Sequence, residues 1–144
     1  MNVDAILRAK GGTVTLVTPQ ATITEAVAVL RREGIGALVV SRDGATVDGI
    51  LSERDVIHGL ARLGPQLLDA TVEQLMTRRV FTCTPRDSIA DLMAEMTKRR
   101  IRHIPVLRDG ELVGIISIGD VVKNRVAELQ TESAALQEYL YSGQ

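Results

Sequence analysis

The chain has 144 residues, enough for one core, and 45% of them are apolar while only 2% are aromatic, so that core is built from Val, Ile, Leu, Ala and Met. Seventeen basic against eighteen acidic residues leave a net charge of −1, which speaks against a general nucleic-acid binder. One cysteine, Cys83, rules out an internal disulfide, and no apolar run of about 18 residues is present to span a membrane.

In chain order, residues 3–10 form a short amphipathic helix that Gly11-Gly12 stops, with no signal-peptide layout, so a cytoplasmic protein is expected. Residues 13–17 alternate and read as a strand, which Pro19 breaks. Thr22-Ile23-Thr24-Glu25 is a capping box, followed by Ile23, Ala26, Val27 and Leu30 at helical spacing, and Gly34 ends that helix. The apolar run 37–40 predicts a buried strand, Asp43-Gly44 a turn, and residues 47–51 the next strand. Ser52-Glu53-Arg54-Asp55 caps a helix to about Leu63, and Gly64-Pro65 breaks it. A linker follows, with a short helix opened by Thr71-Val72-Glu73-Gln74. Residues 80–83 predict a strand with Cys83 as an inert core thiol, and Ser88-Ile89-Ala90-Asp91 opens a helix to about Lys98. Strands are expected over 103–107 and 112–116 around Asp109-Gly110, then a long helix from near Ile118 to about Tyr141.

The second half repeats the first. At an offset of 66, Thr18-Pro19 meets Thr84-Pro85 and Arg42-Asp43-Gly44 meets Arg108-Asp109-Gly110; after one deletion the offset is 65, and the stretch from Gly49 to Asp55 meets that from Gly114 to Asp120. Each unit is β-α-β-β-α. The duplication predicts a mixed α/β (α+β) fold of two units about a pseudo-twofold axis with a cleft between them. The expected divisions are an N-terminal helix (1–12), a first repeat (13–63), a linker (64–79), a second repeat (80–128) and a helical extension (129–144).

These elements together resemble a tandem pair of CBS domains, the Bateman module, over roughly residues 13–128. The resemblance rests on the Thr-Pro helix entries, the Asp-Gly hairpins, the linker Met76-Thr77-Arg78-Arg79-Val80, the strand Arg102-His103-Ile104-Pro105-Val106, and Gly-φ-φ-Ser-x-x-Asp (φ apolar) in both copies. It implies a regulatory ligand that contains adenosine, with AMP foremost, ADP and ATP of the same type, and S-adenosylmethionine or NAD(H) as alternatives. By the same resemblance Asp55 and Asp120 accept the ribose hydroxyls, Ser52 and Ser117 donate on the phosphate side, and Thr77, Val80 and Pro105 flank the adenine.

Chemistry agrees with that placement, since a helix N-terminus offers free N–H groups and a positive dipole end to a phosphate. The same Ser-x-x-Asp is also an ordinary helix cap. Arg54, Arg102 and His103 differ between the copies and are expected to meet phosphates in the cleft; their other role is surface charge or strand packing. His58 reads as structural. No nucleophile elbow, metal-spaced cluster or P-loop occurs, so neither an enzyme nor an obligatory cofactor is expected. Val122, Val126, Leu129, Ser133, Leu136 and Leu140 follow heptad spacing. The first turns of this stripe are expected on their own sheet, and the remainder in a homodimer. The expected partners are thus a second copy, an adenosine compound and an unknown regulated protein. The rival reading is a dimerisation or docking module with an empty cleft.

Overall fold

The computed structural model describes residues 1–143; Gln144, the last residue of the expected extension, lies outside the described residues. The elements are α1 (Val3–Lys10), β1 (Leu16–Val17), α2 (Ile23–Glu33), β2 (Ala37–Val40), β3 (Gly49–Ser52), α3 (Glu53–Leu63), a 3-10 stretch (Gly64–Asp69), α4 (Val72–Leu75), α5 (Ile89–Arg99), β4 (His103–Arg108), β5 (Glu111–Ser117) and α6 (Ile118–Ser142). The mixed fold of two related units with a long last helix is as expected.

Local chemistry sets most boundaries. Thr22 and Ser88 accept the N–H of Glu25 and Asp91 at the starts of α2 and α5. Ser52 and Ser117 close reciprocal capping boxes on α3 and α6, and at the start of α4 the Thr71 N–H donates to the Gln74 side chain. Gly34 ends α2 at φ 64°, in the left-handed region that a side chain would strain.

In the first repeat β1 runs parallel to β2, and β2 antiparallel to β3. Two boundaries differ from expectation. Residues 13–15 lie off the sheet, because Thr13 is exposed and Val14 and Thr15 only half-buried, so no buried face holds them to β2. Val47 also stays outside β3. The Asp48 carboxylate accepts the Arg42 N–H while the Asp48 N–H reaches the Val40 carbonyl, which closes the hairpin at Gly49.

The second repeat departs further. The strand expected over 80–83 is absent; only Cys83 bridges to Val106, in parallel. Cys83 N–H donates to the Pro105 carbonyl and Leu107 N–H to the Cys83 carbonyl. The next ladder bond toward Phe81 needs an N–H at position 105, and proline has none. At the repeat offset, Pro105 stands where the first copy has Val39. The β4–β5 pair closes around Asp109 and Gly110, both at positive φ, with Arg108 opposite Glu111. That tighter turn accounts for the residue missing from the second copy.

Each repeat has its own core, and each is completed by a helix from outside it. Val72 and Met76, around α4, are buried with Ile23, Leu38 and Leu51 of the first repeat. Val3 and Ile6 of α1 are buried with Ile89, Ile104 and Ile116 of the second. The hydrogen bonds match pair for pair. Val72 N–H reaches the Ala21 carbonyl as Val3 N–H reaches that of Asp87, and Glu73 N–H reaches Pro19 as Asp4 N–H reaches Pro85. α1 is thus the counterpart of α4, crossed over to the other repeat.

The long helix corrects one expectation. In its first turns only Val121 is buried, whereas Val122 and Val126 are about half exposed, as are Leu129, Leu136 and Leu140. Ile57 and Leu60 on α3 are likewise exposed, at 64% and 53%. At the repeat offset Ile57 corresponds to Val122, so the two capped helices carry matching uncovered apolar positions. No helix of the described residues is long and apolar enough to cross a membrane.

Candidate ligand site

The two Ser-x-x-Asp elements lie at equivalent junctions, where β3 enters α3 and β5 enters α6. Asp55 Oδ2 accepts the Ser52 backbone N–H at 2.9 Å and its hydroxyl at 3.1 Å. Asp55 Oδ1 accepts the Thr77 hydroxyl at 3.2 Å. Thr77 is brought there by a two-bond bridge to Ile50, at 3.0 and 2.9 Å, so the linker lies across β3 beside the cap. Ser52, Asp55 and Thr77 therefore form one cluster.

Asp120 repeats the cap, with Oδ2 accepting the Ser117 N–H at 2.9 Å. Its second partner differs: the Lys10 ammonium stands 2.7 Å from the same Oδ2 and donates also to the Ile115 carbonyl at 2.8 Å. Burial pushes the Asp120 carboxyl up, but the Lys10 and Ser117 hydrogen bonds outweigh it and hold the group below the usual carboxylate value. Lys10 was not singled out from sequence. The signal was present: Val3-Asp4 aligns with Val72-Glu73, which sets the end of α1 over the second cap as Thr77 lies over the first.

His103 lies opposite Ser117 in the β4–β5 register and reaches the first repeat. A Cβ added to Gly36 would stand 3.3 Å from His103 Cε1 and 3.4 Å from the Glu53 carboxylate. Gly36 thus leaves the room that the imidazole occupies, at the position where the second copy has Arg102. Burial lowers the His103 pKa; Glu53 opposes this, Arg102 adds to it, and Asp120 and Lys10 act in opposite senses.

The remaining residues are more scattered. Arg54 crosses to the second repeat and donates to the Arg100 carbonyl at 2.9 Å, a carbonyl that ends α5 in the left-handed region. The Arg102 side chain is exposed, while its carbonyl accepts the Ile118 N–H. Pro105 is buried on β4, and Val80 is half-buried off the ladder, its N–H turned to the Arg78 carbonyl. His58 is exposed on α3. An open hollow of about 220 Å³ runs past Asp55, His58 and Gln74, and one of about 430 Å³ continues past Arg62, Gln66 and Asp69. Both are lined by α3, the 3-10 stretch and α4, and of the candidate residues Asp55 borders the smaller one. Among the described residues no group of His, Cys, Asp and Glu is arranged to hold a metal ion.

Two repeats of a helix, a β-hairpin and a capped helix, the first with an added parallel strand and the second with a single bridge at Cys83, together with exchanged capping helices and a Ser-Asp cap at each strand-to-helix junction, define a paired-repeat module. The CBS-domain profile matches residues 13–62 and 72–127, and the chain belongs to that family. It is 35% identical over 130 residues to the mitochondrial CBS domain-containing protein CBSX3 of Arabidopsis thaliana, covering 88% of this chain and 63% of that protein. The chain thus spans less than two thirds of that relative's length. It is 33% identical over 113 residues to hypoxic response protein 1 of Mycobacterium tuberculosis, covering 77% of this chain and 78% of that one. Among solved structures, the CBS-domain protein ATU1752 of Agrobacterium tumefaciens superposes with a TM-score of 0.84 at 42% identity, over 87% of this chain and 99% of that one. The CBS domain pair of protein MJ0100, solved in complex with 5′-methylthioadenosine and S-adenosyl-L-methionine, superposes with a TM-score of 0.76 at 25% identity, over 85% and 98%.

Proposed function

We propose that this chain is a cytoplasmic regulatory sensor that binds an adenosine-containing ligand, AMP before the others, and transmits the bound state to a partner protein. The observation that carries this reading is the repeated carboxylate: Asp55 and Asp120 sit at equivalent helix starts, each fixed by its serine and each facing a segment laid over it from outside the repeat. A fixed carboxylate suits a vicinal diol, because it accepts one hydrogen bond from each hydroxyl. The N–H groups and dipole of the helix beneath suit a phosphate. Support comes also from the MJ0100 pair, whose two bound compounds both contain adenosine. The uncovered stripe on α3 and α6 supports a homodimer formed through these helices.

The test is calorimetric titration with AMP, ADP, ATP, S-adenosylmethionine and NADH. Asp55→Ala and Asp120→Ala should each weaken binding by about 2 kcal/mol at their own site, as expected for hydrogen bonds to a charged group. Binding that neither substitution alters would refute the ribose assignment. The second reading, an assembly module with a closed cleft, draws on the Lys10–Asp120 pair and on His103 filling the space beside Gly36. It expects no heat from any of the five compounds.

A further inference from the structure

The two caps are alike in their carboxylates and unlike in what covers them. A neutral hydroxyl, from Thr77, lies on Asp55; an ammonium, from Lys10, lies on Asp120. From this difference we infer that Lys10 is a charge filter on the second-repeat site, admitting adenosine compounds that carry an anionic group and turning away neutral ribosides. This rests on the reading of Asp55 and Asp120 as ribose acceptors.

The argument follows from what a ligand displaces. At Asp55, a ribose hydroxyl replaces the Thr77 hydroxyl with a bond of the same kind, so charge on the ligand is not needed. At Asp120, the ribose must part a carboxylate from an ammonium held at 2.7 Å. Charge-assisted hydrogen bonds are about twice as strong as neutral ones, and a diol does not replace the lost charge. The Asp120 side chain is only 19% exposed, so water does little to ease the separation. An anionic ligand changes the balance, because its phosphate gives the freed ammonium a new partner. Lys10 can make that move with its side chain alone: α1 is anchored in the second core through Val3 and Ile6, while Lys10 is its last residue and Gly11-Gly12 follow. The charges that act on His103, opposite Ser117 on the β4–β5 pair, are the carboxylates Glu53 and Asp120 and the cations Arg102 and Lys10, so Arg102 is the second cation there for a phosphate.

The experiment compares adenosine with AMP by titration calorimetry, counting ligands per chain. The parent should bind one adenosine and two AMP. Asp55→Ala should weaken adenosine binding roughly thirtyfold and do the same to one of the two AMP, leaving the other AMP at the parent's affinity. Lys10→Met should admit a second adenosine, with affinity at that site raised on the order of tenfold or more. Lys10→Arg keeps the charge and should behave as the parent, which separates the filter from damage to α1. Two adenosines bound by the parent, or one still bound by Lys10→Met, would overturn the filter while leaving the ribose sites standing. If no variant binds either compound, the ribose reading falls, and the filter with it.

Discussion

Gly49 and Gly114 open the same motif in the two repeats, yet alanine should cost far more at the first. A methyl on Gly49 would stand 2.6 Å from Met76 Sδ and 2.9 Å from the Thr77 carbonyl oxygen. That carbonyl is fixed, since it accepts from Ile50 N–H while Thr77 N–H donates back. Overpacking of this kind costs about 1–3 kcal/mol, against which alanine regains about 0.5–1 kcal/mol of the entropy that glycine loses in a strand. A net loss of about 1–2 kcal/mol is expected. At Gly114 the methyl meets only the Leu7 side chain. Leu7 is half-buried and can rotate at a cost of about 0.5–1.5 kcal/mol, which the same entropy gain nearly cancels. Urea denaturation should therefore show Gly49→Ala shifted to lower midpoint at unchanged slope, and Gly114→Ala close to the parent. The difference of about 1–2 kcal/mol corresponds to roughly 3–7 °C in melting temperature for a chain of this size. A Gly114→Ala loss equal to or larger than that of Gly49→Ala would refute the distinction between fixed carbonyl and movable side chain.

Three other outcomes are expected. Burial pushes the Cys83 thiol up to about 12, with Asp87 adding to it, so a maleimide should label the protein at pH 8 only after denaturation; rapid labelling of the native form would contradict this. The His103 pKa is depressed in the fold, so the unfolded chain takes up its proton first as pH falls below the ordinary 6.5. Stability should then decline with falling pH between 6.5 and the folded value, and His103→Gln should remove that slope in denaturant melts measured across the range. Truncation after Glu128 removes the exposed Leu129, Leu136 and Leu140, each expected to contribute roughly 1.5–3 kcal/mol if fully covered. Sedimentation should show a dimer for the intact chain and weaker association for the truncated one, and equal association would take the tail out of the interface.

Much of this architecture is legible in the residues themselves. The duplicated register marks the two units, and the starts of α2 to α6 are announced by their capping residues. What lay hidden follows from the nature of the signals. The amphipathic pattern of α1 says that Val3 and Ile6 face something apolar, but a period cannot say which repeat supplies it. The partner of Lys10 is set by that crossing, which only the match of Val3-Asp4 to Val72-Glu73 marks in the sequence. The strand expected over 80–83 failed for a cause that was in view: Pro105 removes a donor from the neighbouring strand, and only the pairing register shows which bond is lost. At the candidate site the Ser-Asp caps were readable, because their bonds are local. The contacts of His103 with Gly36 and of Arg54 with Arg100 join residues far apart in sequence.

The crossing of α1 and α4 makes the halves of this molecule mutually incomplete. A break within the 3-10 stretch 64–69 would leave the first fragment with Val3 and Ile6 bared and without Val72 and Met76. The second fragment would hold the reverse set. Each would carry the piece that the other lacks, as two clasped hands do. Such fragments should fail to fold singly and reassemble on mixing, and the intact chain should melt in one cooperative step although it contains two cores.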